Sequence, residues 1–336
     1  MTDRAGVVPD SGEFARRTEP FRRELLAHCY RMLGSLDDAE DLVQETYLRA
    51  WRSYRTFEGR SSLRVWLYRI ATNTCLNALE RRGRRVLPSS LCGPGDDPDA
   101  PLAPAESDVM WLQPLPEALV APESDDPAAI VAAREGLRLA LIASLQYLPA
   151  RQRAALILRE VLAFPATEVA AMLDTTVPAV KSTLQRARAR LDQVNPARQQ
   201  QFEEPSEPRA RALLERYIAG FENADMTALE GALRTDAAIE MVGARTWFAG
   251  RATCLRYLER VVGSPGDWRM LPTFANGQQA AAAYQRDSAG VHRAFGLGVL
   301  TVTPTGIARI VVFGDATIVA RFGLPPVHQD TRADLS

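Results

Sequence analysis

The chain has 336 residues, a formal net charge of −1, 46% hydrophobic and 24% charged residues, which is ordinary for two or three globular domains. No window reaches the ~18 consecutive apolar residues of a membrane span, and the opening MTDRAGVVPDSGEFARR lacks an apolar signal core. A cytoplasmic protein with no membrane partner is therefore expected. The cysteines Cys29, Cys75, Cys92 and Cys254 form no CxxC pair and the three histidines complete no ligand spacing, which argues against a disulfide framework, a metal site or any cofactor.

The near-neutral total hides segregated charge, because acids gather early and in a later connector while arginines crowd elsewhere. Lys181 is the only lysine. Codon bias from a GC-rich genome and use of the planar guanidinium for phosphate and base contacts both account for that preference.

Helical pattern runs over residues 21–82, dissolves over 83–127 into text such as CGPGDDPDAPLAPAESD, and resumes over 128–194. A second break, NPARQQQFEEPSEP, leads to a last block that begins with helices and then alternates in strand fashion. The apolar island VMWLQPLPEAL inside the first connector, with Trp111 and Leu112, is expected to dock on a neighbouring domain.

In GSLDDAEDLVQETYLRAWRSY, a helical period buries Leu42, Val43, Thr46, Tyr47, Ala50, Trp51 and Tyr54. It leaves Asp38, Asp41, Gln44, Glu45 and Leu48 on the other side. Ser35 or Asp37 can cap this helix, and its dipole favours the first carboxylates. Neither explains Glu45 or Leu48, so the stripe reads either as a solvated face or as a docking face for a basic partner with an apolar patch.

The next run, SSLRVWLYRIATNTCLNALERRGRR, places Leu63, Trp66, Leu67, Ile70, Ala71, Thr74, Cys75, Ala78 and Leu79 inward. Arg64, Arg69, Thr72, Asn73, Asn77 and Arg81 are expected outward, followed by Arg82, Arg84 and Arg85. Amides, guanidinium groups and nearby aromatics behind the small loop GRSS suit single-stranded nucleic acid.

Further on, LPARQRAALILREVL precedes two short helices, ATEVAAMLD and VPAVKSTLQRARARL, joined at residues 174–176. Pro178 suits the first turn of the second helix. Val180, Leu184, Ala187 and Leu191 are spaced for burial, whereas Lys181, Ser182, Gln185, Arg186, Arg188 and Arg190 face away. This is a helix-turn-helix pattern, or a plain three-helix bundle.

Taken in order, DAEDLVQETYLRAW, FEGRSSLRVWLYRIATNTCLNALERRGRR, LPARQRAALILREVL and AVKSTLQRARARL resemble the bacterial sigma-70 family factors of the extracytoplasmic-function type over roughly residues 20–192, the connector excepted. The resemblance implies a multidomain fold. Two all-α sigma domains come first, a region 2 helical bundle at 14–85 and a region 4 helix-turn-helix at 128–194, joined by a linker at 86–127. It implies partners too, namely core RNA polymerase, through the beta-prime clamp coiled coil, and promoter DNA. Matched by position, Asp41, Gln44 and Glu45, extended by Leu48, would dock on polymerase. Phe57, Gly59, Arg60, Ser61, Ser62, Arg69 and Asn73 would take a flipped base of the minus-ten element. Arg159, Lys181, Ser182, Gln185 and Arg186 would read the minus-thirty-five element. Val177-Pro178-Ala179 and Gln185 depart from the usual residues there, so the promoter sequence is left open.

Residues 205–326 resemble the SnoaL-like branch of α+β cone-shaped domains, on RALLERYIAGFENADM, the order of elements and the FGLPP ending. The resemblance implies a regulatory domain acting in cis, with Trp247, Tyr284 and His292 lining a pocket for a small-molecule ligand. Some relatives of that fold are isomerases or cyclases, for which Asp225, Asp236, Glu240, Asp287 and His292 would be the acids and bases. A non-enzymatic sigma factor is the leading expectation. A DNA-binding protein fused to an active isomerase or cyclase, and a helix-turn-helix repressor that never meets polymerase, are the alternatives. The acidic residues 96–99 are expected to lie against the basic faces of the helical domains.

Overall fold

A computed structural model describes residues 11–81, 83–121, 126–194 and 205–328, which fall into two compact units. One unit holds the described residues up to Arg85 together with those from Ala118 to position 194; the other holds Val86–Glu117 and those from 205 onward. The stretch that reads as a bare connector is thus structural chain of the C-terminal unit.

The first unit is all helical: α1 Ser11–Thr18, α2 Arg22–Leu33, α3 Leu36–Ser53, α4 Leu63–Leu79, α5 Pro127–Glu135, α6 Leu139–Leu145, α7 Ala150–Leu156, α8 Ala166–Met172 and α9 Val177–Val194. Helix α2 stops where Gly34 turns left-handed at φ 69° and returns its N–H to Tyr30 O at 2.7 Å. Ser35 then caps α3 by accepting from Asp38 N–H, and Ser62 caps α4 by accepting from Val65 N–H, both at 3.2 Å. Leu25, Cys29 and Met32 of α2 pack with Val43, Thr46 and Ala50 of α3 and Leu67, Ala71 and Cys75 of α4 as a common buried core.

Two residues read as outward on α4 are not. Thr72 is fully buried, its hydroxyl 2.9 Å from His28 Nε2. Arg64 forks onto Glu24 at 2.8 and 2.9 Å while its guanidinium lies over the rings of Tyr68 and Phe164. Both departures share one cause, since α4 is covered on two sides, by α2 and by α8. A helix so covered has no plainly solvated half.

The second unit comprises α10 Glu207–Glu222, α11 Met226–Ala232, β1 Leu233–Val242, β2 Trp247–Ala249, α12 Arg251–Val262, β3 Trp268–Ala275, β4 Gln278–Arg286, β5 His292–Thr303, β6 Gly306–Phe313 and α13 Ala316–Arg321. The strands form one sheet in the order β2-β1-β6-β5-β4-β3, antiparallel except for the parallel pair β1 and β6. Helix α11 ends at Ala232, because Leu233 already pairs with Ile307 in the sheet and both side chains are buried.

One sheet face, with Ile239, Ala281, Ala283, Leu300 and Ile310, packs on Leu213 and Tyr217 of α10, Leu229 of α11 and Tyr257 of α12. Aromatic rings meet within this core: Phe221 and Trp268 at 6.1 Å, Trp268 and Phe295 at 5.2 Å, and Phe248 and Tyr257 at 4.9 Å. Alternation puts Glu240, Tyr284, Leu297, Val299 and Val311 on the opposite face, and these are buried as well.

Residues 86–117 run as a strap along this unit. Gly95 N–H donates to Trp247 O at 2.8 Å, which pairs the otherwise open edge strand β2. Arg245 N–H donates to Ala103 O at 2.9 Å. Leu112 and Leu115 are buried, so the apolar island does dock, in its own unit. Asp99 pairs with Arg256 of α12 rather than with a basic face of the helical unit, which corrects the expectation for the acidic stretch. Arg260 of the same helix lies 3.2 Å from Ala100 O.

His28 sits at the centre of the helical unit, fully buried and held neutral. Burial first, and then the charge of Arg31, lower its pKa from 6.5 to about 3. A folded pKa below the unfolded one means that the unfolded chain takes up the extra proton. The stability is therefore complete above pH ~6.5 and falls by about 1.4 kcal/mol per unit as pH drops toward 3. Urea unfolding of the helical unit should show a loss of about 2 kcal/mol between pH 6.5 and pH 5. His28→Gln should flatten that slope.

Candidate nucleic-acid and partner interface

On α3 the predicted stripe separates into used and open groups. Asp38 is spent inside the unit, with its carboxylate 2.8 Å from Arg85 and both side chains mostly buried. Glu45 is half-buried and pairs with Arg49 one turn on, at 2.7 Å. Asp41 and Gln44 face solvent, and Leu48 is 51% exposed, one of two large hydrophobic side chains so exposed among the described residues. The arrangement is an open acid, an amide and an apolar knob on successive turns of one rigid helix.

The loop before α4 is built on aromatics. Phe57 leans on Trp66 at 4.9 Å, Tyr54 on Trp66 at 6.3 Å, and Phe14 covers Tyr54 edge-on at 5.1 Å. Gly59 takes φ 70° with open space around it, Arg60 pairs with Glu58, and Ser61 and Ser62 are exposed. From the capped start of α4, Arg69 and Asn73 point outward one turn apart, continued by Asn77. Guanidinium and amide donors thus stand beside a small-residue loop with stacking surfaces at hand.

In the helix-turn-helix, α9 buries Val180, Leu184, Ala187 and Leu191 and exposes Lys181, Ser182, Gln185 and Arg186. Arg188 pairs with Glu160 at 2.7 Å and Arg190 donates to Tyr147 O at 2.8 Å, so these two also brace the fold. Arg159 is exposed, in a π turn, Ile157–Val161, that follows α7. Its guanidinium lies 3.5 Å from Phe164 O.

The two surfaces belong to one packed body. Arg153 of α7 is buried and donates to Met32 O near the end of α2, to Gln146 Oε1 at 2.8 Å, and to the carbonyls of Gln146 and Leu148 at 3.2 Å. Arg31 of α2 donates back to Gly136 O at 2.8 Å, where a Cβ would lie 3.1 Å from its guanidinium. Burial lowers the pKa of both arginines to about 10. Phe164 meets Tyr68 edge-on at 5.0 Å, and Arg84 lies over the Tyr147 ring at 4.1 Å. Periodicity singles out neither arginine, since a buried Arg looks like any other polar position in HCYRML or LPARQR.

In the C-terminal unit the three pocket residues do not converge. Trp247 lies on β2 and donates from Nε1 to Cys92 O at 2.9 Å, with β1, β6 and β5 between it and Tyr284. Tyr284 and His292 are near one another on β4 and β5, and the His328 ring lies 5.5 Å from Tyr284 and 6.4 Å from His292. His292 Nε2 is 2.8 Å from Gly266 O. Threading β6 beside β1 puts β2 at the far edge of the sheet, with three strands between it and β4.

The candidate acids each hold backbone or an arginine. Asp225 caps α11 through Ala228 N–H at 3.0 Å, and Asp236 pairs with Arg234, which keeps its carboxyl below the usual range. Asp287 accepts from Val291 and Ala289 N–H, both at 2.9 Å, and from Arg293, which likewise lowers it. Glu240 is fully buried with Arg309 and the Ser89 N–H. Among the described residues no cluster of His, Cys, Asp and Glu could hold a metal, and no helix is long and apolar enough to cross a membrane.

Comparison with known proteins matches residues 18–85 to Sigma-70 region 2 and residues 138–191 to Sigma-70, region 4. Over 316 residues, 94% of this chain and 84% of the relative, it is 48% identical to the ECF RNA polymerase sigma factor SigG of Mycobacterium tuberculosis. The chain is an ECF RNA polymerase sigma factor.

It is also 34% identical over 155 residues to the ECF RNA polymerase sigma-E factor of Escherichia coli, covering 46% of this sigma factor and 72% of that one. The crystal structure of Mycobacterium tuberculosis SigJ, an extracytoplasmic function sigma factor, shares its fold over 93% of this chain and 99% of that one, with a TM-score of 0.58 and 22% identity. The sigma factor thus has helical regions 2 and 4, which serve transcription initiation, followed by an α+β C-terminal domain.

Loss of the buried guanidinium between regions 2 and 4 would strand Met32 O and the Gln146 amide. Arg153→Ala should cost the helical unit about 2–4 kcal/mol in urea unfolding. Arg153→Lys, which keeps a cation but loses the fork, should recover only part of it.

Proposed function

We propose that this sigma factor docks on the beta-prime clamp coiled coil of core RNA polymerase through Asp41, Gln44, Glu45 and Leu48. In this reading the loop bearing Phe57, Gly59, Arg60, Ser61 and Ser62, with Arg69 and Asn73, takes the minus-ten element. Arg159, Lys181, Ser182, Gln185 and Arg186 take the minus-thirty-five element, and the C-terminal domain tunes output in cis.

The observation that carries the docking face is Leu48. A leucine left half in water on a core helix, flanked by an unspent carboxylate and an amide, suits a basic helical surface with an apolar patch. Region 4 is supported by the exposure of Lys181, Ser182, Gln185 and Arg186 near the start of α9, where a recognition helix meets base edges. For the small-molecule ligand of the C-terminal domain, Tyr284 and His292 lie close together while Trp247 stands at the far edge of the sheet.

Asp41→Arg with Leu48→Arg changes only solvent-facing groups, so thermal unfolding should stay within a degree or two of the parent. Affinity for core polymerase, measured by fluorescence anisotropy, should fall at least tenfold. Unchanged affinity would refute the docking face.

A further inference from the structure

The strap between regions 2 and 4 is stitched to the C-terminal sheet so that its contour is folded away. Val86 N–H donates to Met110 O at 2.9 Å and Leu112 N–H to Val86 O at 3.0 Å, which sets Val86 and Trp111 side by side in a parallel bridge. All the chain between them is a closed loop. Just beyond the loop Leu115 exchanges two 2.9 Å bonds with Asn276, N–H to side-chain oxygen one way and Asn276 N–H to Leu115 O the other, and Pro116 bridges Ala275. Asn276 and Gly277, both at positive φ, form the tight β3–β4 turn that presents those groups.

The loop is latched over the middle of the sheet. Glu240 on β1 is fully buried, its oxygens taken by Arg309 of β6 and by Ser89 N–H at 2.8 Å. A carboxylate is tolerated in such a place only with those partners present. One of the two is the strap itself, so lifting the strap removes a bond from a buried charge.

Chain length gives this geometry a consequence. Between Val86 and Pro127, where α5 begins, the free chain reaches at most about 140 Å at ~3.3–3.6 Å per residue. With Val86 paired to Trp111 only the residues beyond Trp111 contribute, about 55 Å. The two promoter elements are about 25 base pairs apart by their names, ~85 Å at 3.4 Å per pair. The docked tether falls short of that spacing and the free one exceeds it. Regions 2 and 4, meanwhile, are packed together through Arg153 and Phe164.

We infer that the strap is a span lock: residues 86–111 must peel from the C-terminal sheet before regions 2 and 4 can occupy both promoter elements, with Glu240 and Arg309 as the latch. The inference rests on the promoter reading above and adds to it the part that sets the reach. It assigns the C-terminal domain an inhibitory sign, exerted through tether length.

The test uses the full chain with Cys92→Ser, Val86→Cys and Trp111→Cys, oxidised or reduced, with core polymerase and a promoter that the parent chain transcribes. The oxidised form should bind core as the reduced form does yet give at least tenfold fewer transcripts, and reduction should restore them. In the otherwise native chain Glu240→Gln, which weakens the latch without a bulk change, should raise transcripts severalfold. Equal transcription from the oxidised and reduced forms, or no rise with Glu240→Gln, overturns the span lock. Silence of the parent chain itself on every promoter overturns the promoter reading instead.

Discussion

The guanidinium of Arg153 is the contact on which the helical unit turns. It is 4% exposed, is served by neutral acceptors from α2 and from the residues just before α7, and draws two separately encoded regions into one body. Burial of a cation is costly, and here the two terminal nitrogens find four acceptors while the buried Nε finds none among the described residues, so the contact is strict in geometry and narrow in margin. Arg31, reaching the opposite way to Gly136 O, repeats the device. These two arginines bridge the regions beside ring contacts such as Phe164 on Tyr68, and water can solvate both guanidinium groups once the regions part.

In the proposed promoter reading, regions 2 and 4 must serve sites far apart. The stripe of Asp41, Gln44 and Leu48 is open while regions 2 and 4 are packed, and so is the polar face of α9 with Lys181, Ser182, Gln185 and Arg186. What the packed form limits is therefore separation, and exposure is already granted. The strap imposes the same limit from the other unit, where β1, β6 and the β3–β4 turn hold residues 86–117. Two independent sets of polar contacts thus act on one variable, the distance between region 2 and region 4.

Much of this was legible in the residues, for physical reasons that differ by element. Helix α9 reads correctly side by side because one face is fully buried and the other fully wet, and the 3.6 period is then unambiguous. Helix α4 reads worse: its period puts Thr72 and Arg64 outward, yet His28 and Glu24 of α2, 44 and 40 positions away, claim them, and Phe164 lies against Arg64 as well. The connector misleads for a related reason. Its Pro, Gly and Asp content signals irregular backbone, which is what it has, yet irregular backbone can be ordered when a sheet supplies its hydrogen bonds. Only Trp111 and Leu112 hinted at docking. Glu240 drew notice as an acid, and nothing in its neighbours in sequence tells a buried ion-pair anchor from a catalytic carboxylate. The scatter of Trp247 from Tyr284 follows from sheet order, which a list of strands does not contain.

The most direct measurement is the distance between regions 2 and 4 in the intact chain, from spin labels at the exposed positions Asn77 on α4 and Ala189 on α9. The account predicts a single short, narrow distribution for the free protein and a long one once it sits on core polymerase and promoter DNA. A short distribution that persists in an actively transcribing complex, or a broad long one in the free protein, would contradict it.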